Sequence, residues 1–180
     1  MITMQKTSKA LLLIDFEKEW TNRESDYFVG DITNTIDKTN KLIDFCRSKG
    51  YKIIFTRHVD IGSEDAFAEE SEGTKLINRL HKKDSDVLIT KNKVSSFYKT
   101  GLEKELHGTK EIAVCGILTN MCVRHAAEDA YDRDFNITIV KDCCVALDED
   151  TQEFTFKDLK ATRPEIEILD LKEFLKKEEK

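Results

Sequence analysis

The chain has 180 residues, 39% of them hydrophobic and 36% charged, and a formal net charge of -6. That length predicts a single domain over residues 1–180 with a sizeable core, and the composition excludes a disordered chain. With no basic face or stripe to neutralise phosphates, neither a nucleic acid nor an anionic membrane surface is expected as a partner.

The predicted elements alternate along the chain. A short polar, basic start (1–10) runs into an apolar stretch too short for a signal-peptide core or a membrane span, so a cytoplasmic location is expected. Apolar runs at 10–14, 52–55, 86–89, 111–115, 136–140 and 165–169 are rich in Ile, Val and Leu and mostly lack alternation, as strands buried on both faces do. Helical spacing occupies 31–48, 75–80, 101–106, 122–134 and 152–161, with Gly50 and Gly108 as stops before the next strand. The stretch 59–73 is the longest without a pattern and is expected to be a functional loop. The charged, amphipathic tail from residue 172 is expected to close the chain as a surface helix. Strand alternating with helix at this pitch predicts a doubly wound, three-layer αβα sandwich with a mainly parallel sheet of roughly six strands.

In such sheets ligands lie beyond the carboxyl ends of the strands. The first run delivers Asp15, the third delivers Lys91, and the fourth leads through a glycine-containing turn to Cys122. An aspartate after a strand is often only a turn residue, and a lysine there is often a solvated charge. The coincidence of a carboxylate, an ammonium and a thiol at three strand ends points instead to an enzyme. Cys122 opens a predicted helix, and that position together with Lys91 is expected to lower its thiol pKa.

The other four cysteines suggest no further chemistry. Five is an odd number, no C-x-x-C pair occurs, and Cys143 adjoins Cys144, so neither a disulfide framework nor a zinc knuckle is expected. Cys46 and Cys115 read as small buried hydrophobes in a reducing compartment.

Three stretches carry a resemblance: ALLLIDFEKEW (10–20), KNKVSSFYKTGLEKEL (91–106) and GILTNMCVRHAAEDA (116–130). Along nearly its whole length the chain resembles the isochorismatase-like cysteine hydrolases, a family that includes nicotinamidases, carbamoylsarcosine amidases and ureidoacrylate hydrolases. The resemblance implies that Cys122 attacks a carbonyl carbon, that Asp15 shuttles the proton, and that Lys91 stabilises the charged forms of both. It implies a thioester intermediate and a cis peptide between Ile117 and Leu118, with the Leu118 and Cys122 N–H groups forming an oxyanion hole. It also implies a homodimer or homotetramer.

Departures from the family pattern bear on the substrate. Glu17 and Trp20 stand where the family often has Gln and Phe, and Glu17 is expected to add an acid beside Asp15. Nicotinamidases of the family carry an Asp-x-His pair and further histidines that bind a metal. Here the stretch is Thr56-Arg57-His58-Val59-Asp60, with no other histidine before His81, so neither a catalytic metal nor any other cofactor is expected. True isochorismatases cleave a vinyl ether and commonly lack the cysteine, which argues against that chemistry here. Trp20 and Phe97 are candidate apolar walls of the pocket, and Arg57 and His58 are candidates for reading a substrate carboxylate or carbamoyl group. Tyr27 and Phe67 belong to loops that form a lid or a subunit contact.

The leading expectation is a metal-independent amidohydrolase acting on a small amide, ureido or carbamoyl compound. The alternatives are a nicotinamidase with an atypical metal site and a thiol redox or binding protein on the same fold.

Overall fold

The computed structural model describes residues 8–179, so most of the polar start lies outside it. All six expected strands form: β1 (Lys9–Ile14), β2 (Lys52–His58), β3 (Val87–Lys91), β4 (Glu111–Ile117), β5 (Asn136–Val145) and β6 (Glu167–Leu169). They pair in parallel in the order β3-β2-β1-β4-β5-β6. β1 is central, and Leu11, Leu12 and Leu13 are fully buried, which is why its sequence shows no alternation. Each such side chain contributes about 1.5–3 kcal/mol by leaving water.

Helices α1 (Thr33–Ser48), α2 (Leu102–Glu105), α3 (Arg124–Tyr131), α4 (Glu149–Thr162) and α5 (Leu171–Glu178) fill the connections and complete a three-layer α/β sandwich. The tail helix α5 is fixed by a reciprocal capping box between Asp170 and Glu173, and its buried Phe174 meets Phe45 of α1 edge to face. None of the helices among the described residues is long and apolar enough to cross a membrane.

Two glycines set backbone geometry that other residues resist. Gly50 takes φ +77 just past α1, and the Tyr51 N–H closes the helix end on the Cys46 carbonyl. Gly116 takes φ +148 where β4 passes β1. A Cβ there would lie 2.2 Å from the Ile14 carbonyl oxygen.

The stretch 75–80, expected to be helical, is not. The Lys75 carbonyl accepts from the Lys18 N–H, the Ile77 N–H donates to the Phe16 carbonyl, and Leu76 bridges Glu17. The segment satisfies its backbone on the chain leaving β1 and buries Ile77 and Leu80 from there. Its apolar spacing reflects that edge contact and not a helix face. The helix expected from Cys122 is also different: a π-type turn covers Thr119–Val123, and α3 begins at Arg124.

Candidate active site

In a sheet of this strand order the connections leave in opposite directions on either side of β1 and β4, opening a crevice at their carboxyl ends. Asp15 follows β1 directly, with φ 49, a left-handed conformation that aspartate tolerates better than most residues. Lys91 is the last residue of β3. Cys122 lies in the π-type turn after β4, which the Thr119 hydroxyl anchors by donating to the Gln152 side chain. Gln152 in turn donates to the Cys144 carbonyl of β5.

These three residues meet. Lys91 Nζ lies 2.7 Å from Asp15 Oδ2, 3.3 Å from Cys122 Sγ and 3.2 Å from the Lys93 carbonyl oxygen, which accounts for all three of its donors. The Asp15 and Lys91 side chains are sealed from solvent. Thr56 completes the arrangement: its hydroxyl donates to Asp15 Oδ1 at 2.5 Å and accepts the Asp15 N–H at 3.2 Å. The sequence reading missed Thr56 because it ended the second strand at residue 55, whereas β2 continues to His58. The Ile117–Leu118 peptide is cis.

The electrostatics depart from expectation at two groups. Burial and the neighbouring Asp15 charge push the Cys122 thiol up to about 12, more than Lys91 offsets. It therefore rests as a protonated thiol. Lys91 is held above its ordinary value: burial works against its charge, but Asp15 and Cys122 outweigh the burial. Glu17 is fully buried, with one carboxyl oxygen accepting the His58 N–H and the other unpartnered among the described residues. Burial first, and then the Asp15 charge, push it up to about 10, so it is a neutral acid at physiological pH. In charge it matches the glutamine of the family pattern.

A cavity of about 440 Å³ opens onto Cys122 and Asp15. Trp20, Tyr27 and Phe67 form one wall, with ring centroids 5.0–6.1 Å apart. Val94, Leu118, Met121 and Leu147 complete the apolar lining, and Asp26, His58 and Asp60 supply further polar groups. Phe67 and Asp60 come from the irregular loop 59–73.

Of the four residues considered for substrate contact, Trp20 and His58 line this cavity, while Arg57 and Phe97 lie outside its lining. The Arg57 side chain turns towards Thr90, its Nε 3.0 Å from that hydroxyl. Phe97 is a core residue, its ring covered by the Arg133 guanidinium at 4.4 Å. Successive residues of a strand point to opposite faces, so only one of Arg57 and His58 can turn into the crevice. Tyr27 and Phe67, expected in a lid or a subunit contact, both face the cavity.

The donor set does not fit a metal site. His58 Nε2 lies 3.0 Å from Asp60 Oδ1, but among the described residues no group of three or more His, Cys, Asp or Glu side chains could hold an ion. The remaining cysteines, Cys46, Cys115, Cys143 and Cys144, are buried in the core, leaving Cys122 as the one accessible thiol among the described residues.

The doubly wound α/β sheet thus holds an ion-paired acid and lysine against an accessible thiol at its switch point. The chain matches the Isochorismatase domain over residues 9–168 and is a member of the isochorismatase family of hydrolases. It is 28% identical over 159 residues to the isochorismatase family protein YaaI of Bacillus subtilis (strain 168), covering 84% of this chain and 88% of that one. To Nicotinamidase 3 of Arabidopsis thaliana it is 27% identical over 165 residues, covering 83% and 79%. The crystal structure of a cysteine hydrolase from Pseudomonas syringae pv. phaseolicola 1448A superposes with a TM-score of 0.87 at 20% identity, covering 96% of this chain and 92% of that one, and shares its fold.

Proposed function

We propose that this protein is a metal-independent cysteine amidohydrolase that cleaves the C–N bond of a small amide, ureido or carbamoyl compound. The observation that carries this reading is the buried Lys91 ammonium, placed between the Asp15 carboxylate and the Cys122 thiol, both of which line the cavity.

Because the thiol rests protonated, attack and deprotonation are coupled. Cys122 Sγ bonds to the carbonyl carbon as its proton passes to Asp15. The Leu118 and Cys122 N–H groups receive the developing oxyanion, a role worth roughly 10²–10³ in rate per donor. Asp15 returns the proton to the leaving nitrogen, the C–N bond breaks, and an acyl thioester remains on Cys122. Asp15 then takes a proton from water, whose oxygen attacks the thioester. The C–S bond breaks, the acid leaves and the thiol regains its proton. Lys91 keeps its charge throughout and stabilises the negative charge that its two neighbours carry in turn.

Intact-mass spectrometry of the enzyme quenched with acid during turnover tests the pathway. An adduct of acyl mass on Cys122, absent from Cys122→Ser, is expected. Turnover with no adduct at any quench time, together with full activity of Cys122→Ser, would overturn it.

Nicotinamide is the second substrate reading, favoured by the aromatic wall of Trp20, Tyr27 and Phe67 and by the likeness to Nicotinamidase 3. Ammonia release from nicotinamide tests it directly.

A further inference from the structure

The charges of the cavity are one-sided. Five titratable side chains other than the thiol line it: Tyr27, His58 and three carboxylates, Asp15, Asp26 and Asp60. Asp15 is neutralised by buried Lys91, whose ammonium is spent on Asp15, Cys122 and the Lys93 carbonyl. Asp26 and Asp60 have no such partner in the lining. Among the described residues, the Asp60 carboxylate pairs with the His58 imidazole, and no lysine or arginine lines the cavity. Arg57 turns away to Thr90, and Arg23, as near to Asp26 in sequence as Arg57 is to Asp60, lines a different cavity.

The wall beside these acids is aromatic. Trp20, Tyr27 and Phe67 meet at steep angles, 48° to 89°, so they present a corner of ring faces and edges rather than one flat stack. Ring faces attract cations, and carboxylates lining an apolar concavity concentrate cationic groups in it. Among the described residues, the lining offers an anionic substrate no lysine or arginine.

We propose that Asp26 and Asp60 are specificity-determining residues that select substrates carrying a cationic ammonium group, primary or quaternary, over neutral and anionic isosteres. This rests on the amidohydrolase reading for its chemistry, but the charge preference can be measured without turnover.

The first test labels the thiol. Cys122 is treated at pH 8, where an ordinary imidazole is neutral, with the trimethylammonium-ethyl and the sulfonato-ethyl methanethiosulfonate reagents. Each rate is divided by that of free cysteine. The cationic reagent is expected to be favoured by at least about tenfold after this correction, within the range that field focusing supplies. In the double variant Asp26→Asn/Asp60→Asn the preference is expected to fall towards unity. Asp132→Asn, an exposed charge removed at the opposite end of the sheet, is expected to leave it in place. A corrected ratio at or below one, or one that the double variant leaves unmoved, would overturn the proposal.

The second test compares trimethylammonio-acetamide with its neutral isostere 3,3-dimethylbutanamide and with anionic succinamate. The expected order of kcat/KM is cationic, neutral, anionic, with the cation-to-neutral ratio reduced in the double variant. Hydrolysis of none of these or other amides would count against the amidohydrolase reading and leave the labelling ratio to decide the charge preference. Hydrolysis with the order reversed would overturn the preference and leave the amidohydrolase reading standing.

Discussion

Lys91 Nζ lies 2.7 Å from Asp15 Oδ2, and both side chains are shut off from solvent. A buried pair of this kind is costly to break from one side, because the surviving charge is stranded. Lys91→Met is expected to lose about 3–5 kcal/mol of stability in urea titration and to lose turnover. Adding Asp15→Asn removes the stranded charge, so the double variant is expected to be more stable than Lys91→Met while remaining inactive. A double variant less stable than both single ones would contradict this account of the pair.

Cys122 is held as a thiol, up to about 12, by burial and by Asp15. Its alkylation by iodoacetamide is therefore expected to rise about tenfold per pH unit from pH 7 to pH 10 with no plateau. Asp15→Asn removes the charge that opposes the thiolate and is expected to shift the profile to lower pH, and Lys91→Met is expected to shift it the other way. A plateau in the wild type near neutral pH would show a preformed thiolate instead.

Glu17 links pH to stability. Its carboxyl is raised from 4.5 to about 10 in the folded chain. Between those values the folded state holds a proton that the unfolded state has released, so stability falls as pH rises, by about 1.4 kcal/mol per unit. By pH 7 the loss is on the order of 3 kcal/mol. Glu17→Gln carries no such penalty. It is expected to match the wild type near pH 4–5 and to exceed it increasingly up to pH 9 in thermal or urea unfolding. Parallel curves for the two proteins would mean that Glu17 titrates as an ordinary acid.

Gly116 lies where β4 passes β1, and any side chain there would strike the Ile14 carbonyl. Gly116→Ala is expected to cost roughly 2–5 kcal/mol through overpacking and a φ that alanine resists. Because Ile14 precedes Asp15, it is also expected to lower kcat. A variant of wild-type stability and activity would show that the two strands can part without disturbing the site.

Much of this was legible in the sequence, and the physical reasons are local. Unalternated Ile, Val and Leu runs betray parallel strands wherever they fall, so all six were visible, and polar residues at their ends marked Asp15, Lys91 and Cys122. The stretch 75–80 misled because an edge segment and a helix can share apolar spacing over so few residues. The thiol pKa misled because spacing reveals a nearby lysine but not the degree of burial. The acids of the cavity were hidden for another reason: Asp26 and Asp60 lie on irregular loops, whose course no periodicity encodes.

The most direct measurement of the central claim is ammonia release from a panel of small amides, ureido and carbamoyl compounds and nicotinamide, by wild type and Cys122→Ala, with and without a chelator. Turnover by the wild type that survives the chelator and vanishes in Cys122→Ala is the expected result. Turnover that persists in Cys122→Ala, or that the chelator abolishes, would contradict a metal-independent cysteine mechanism.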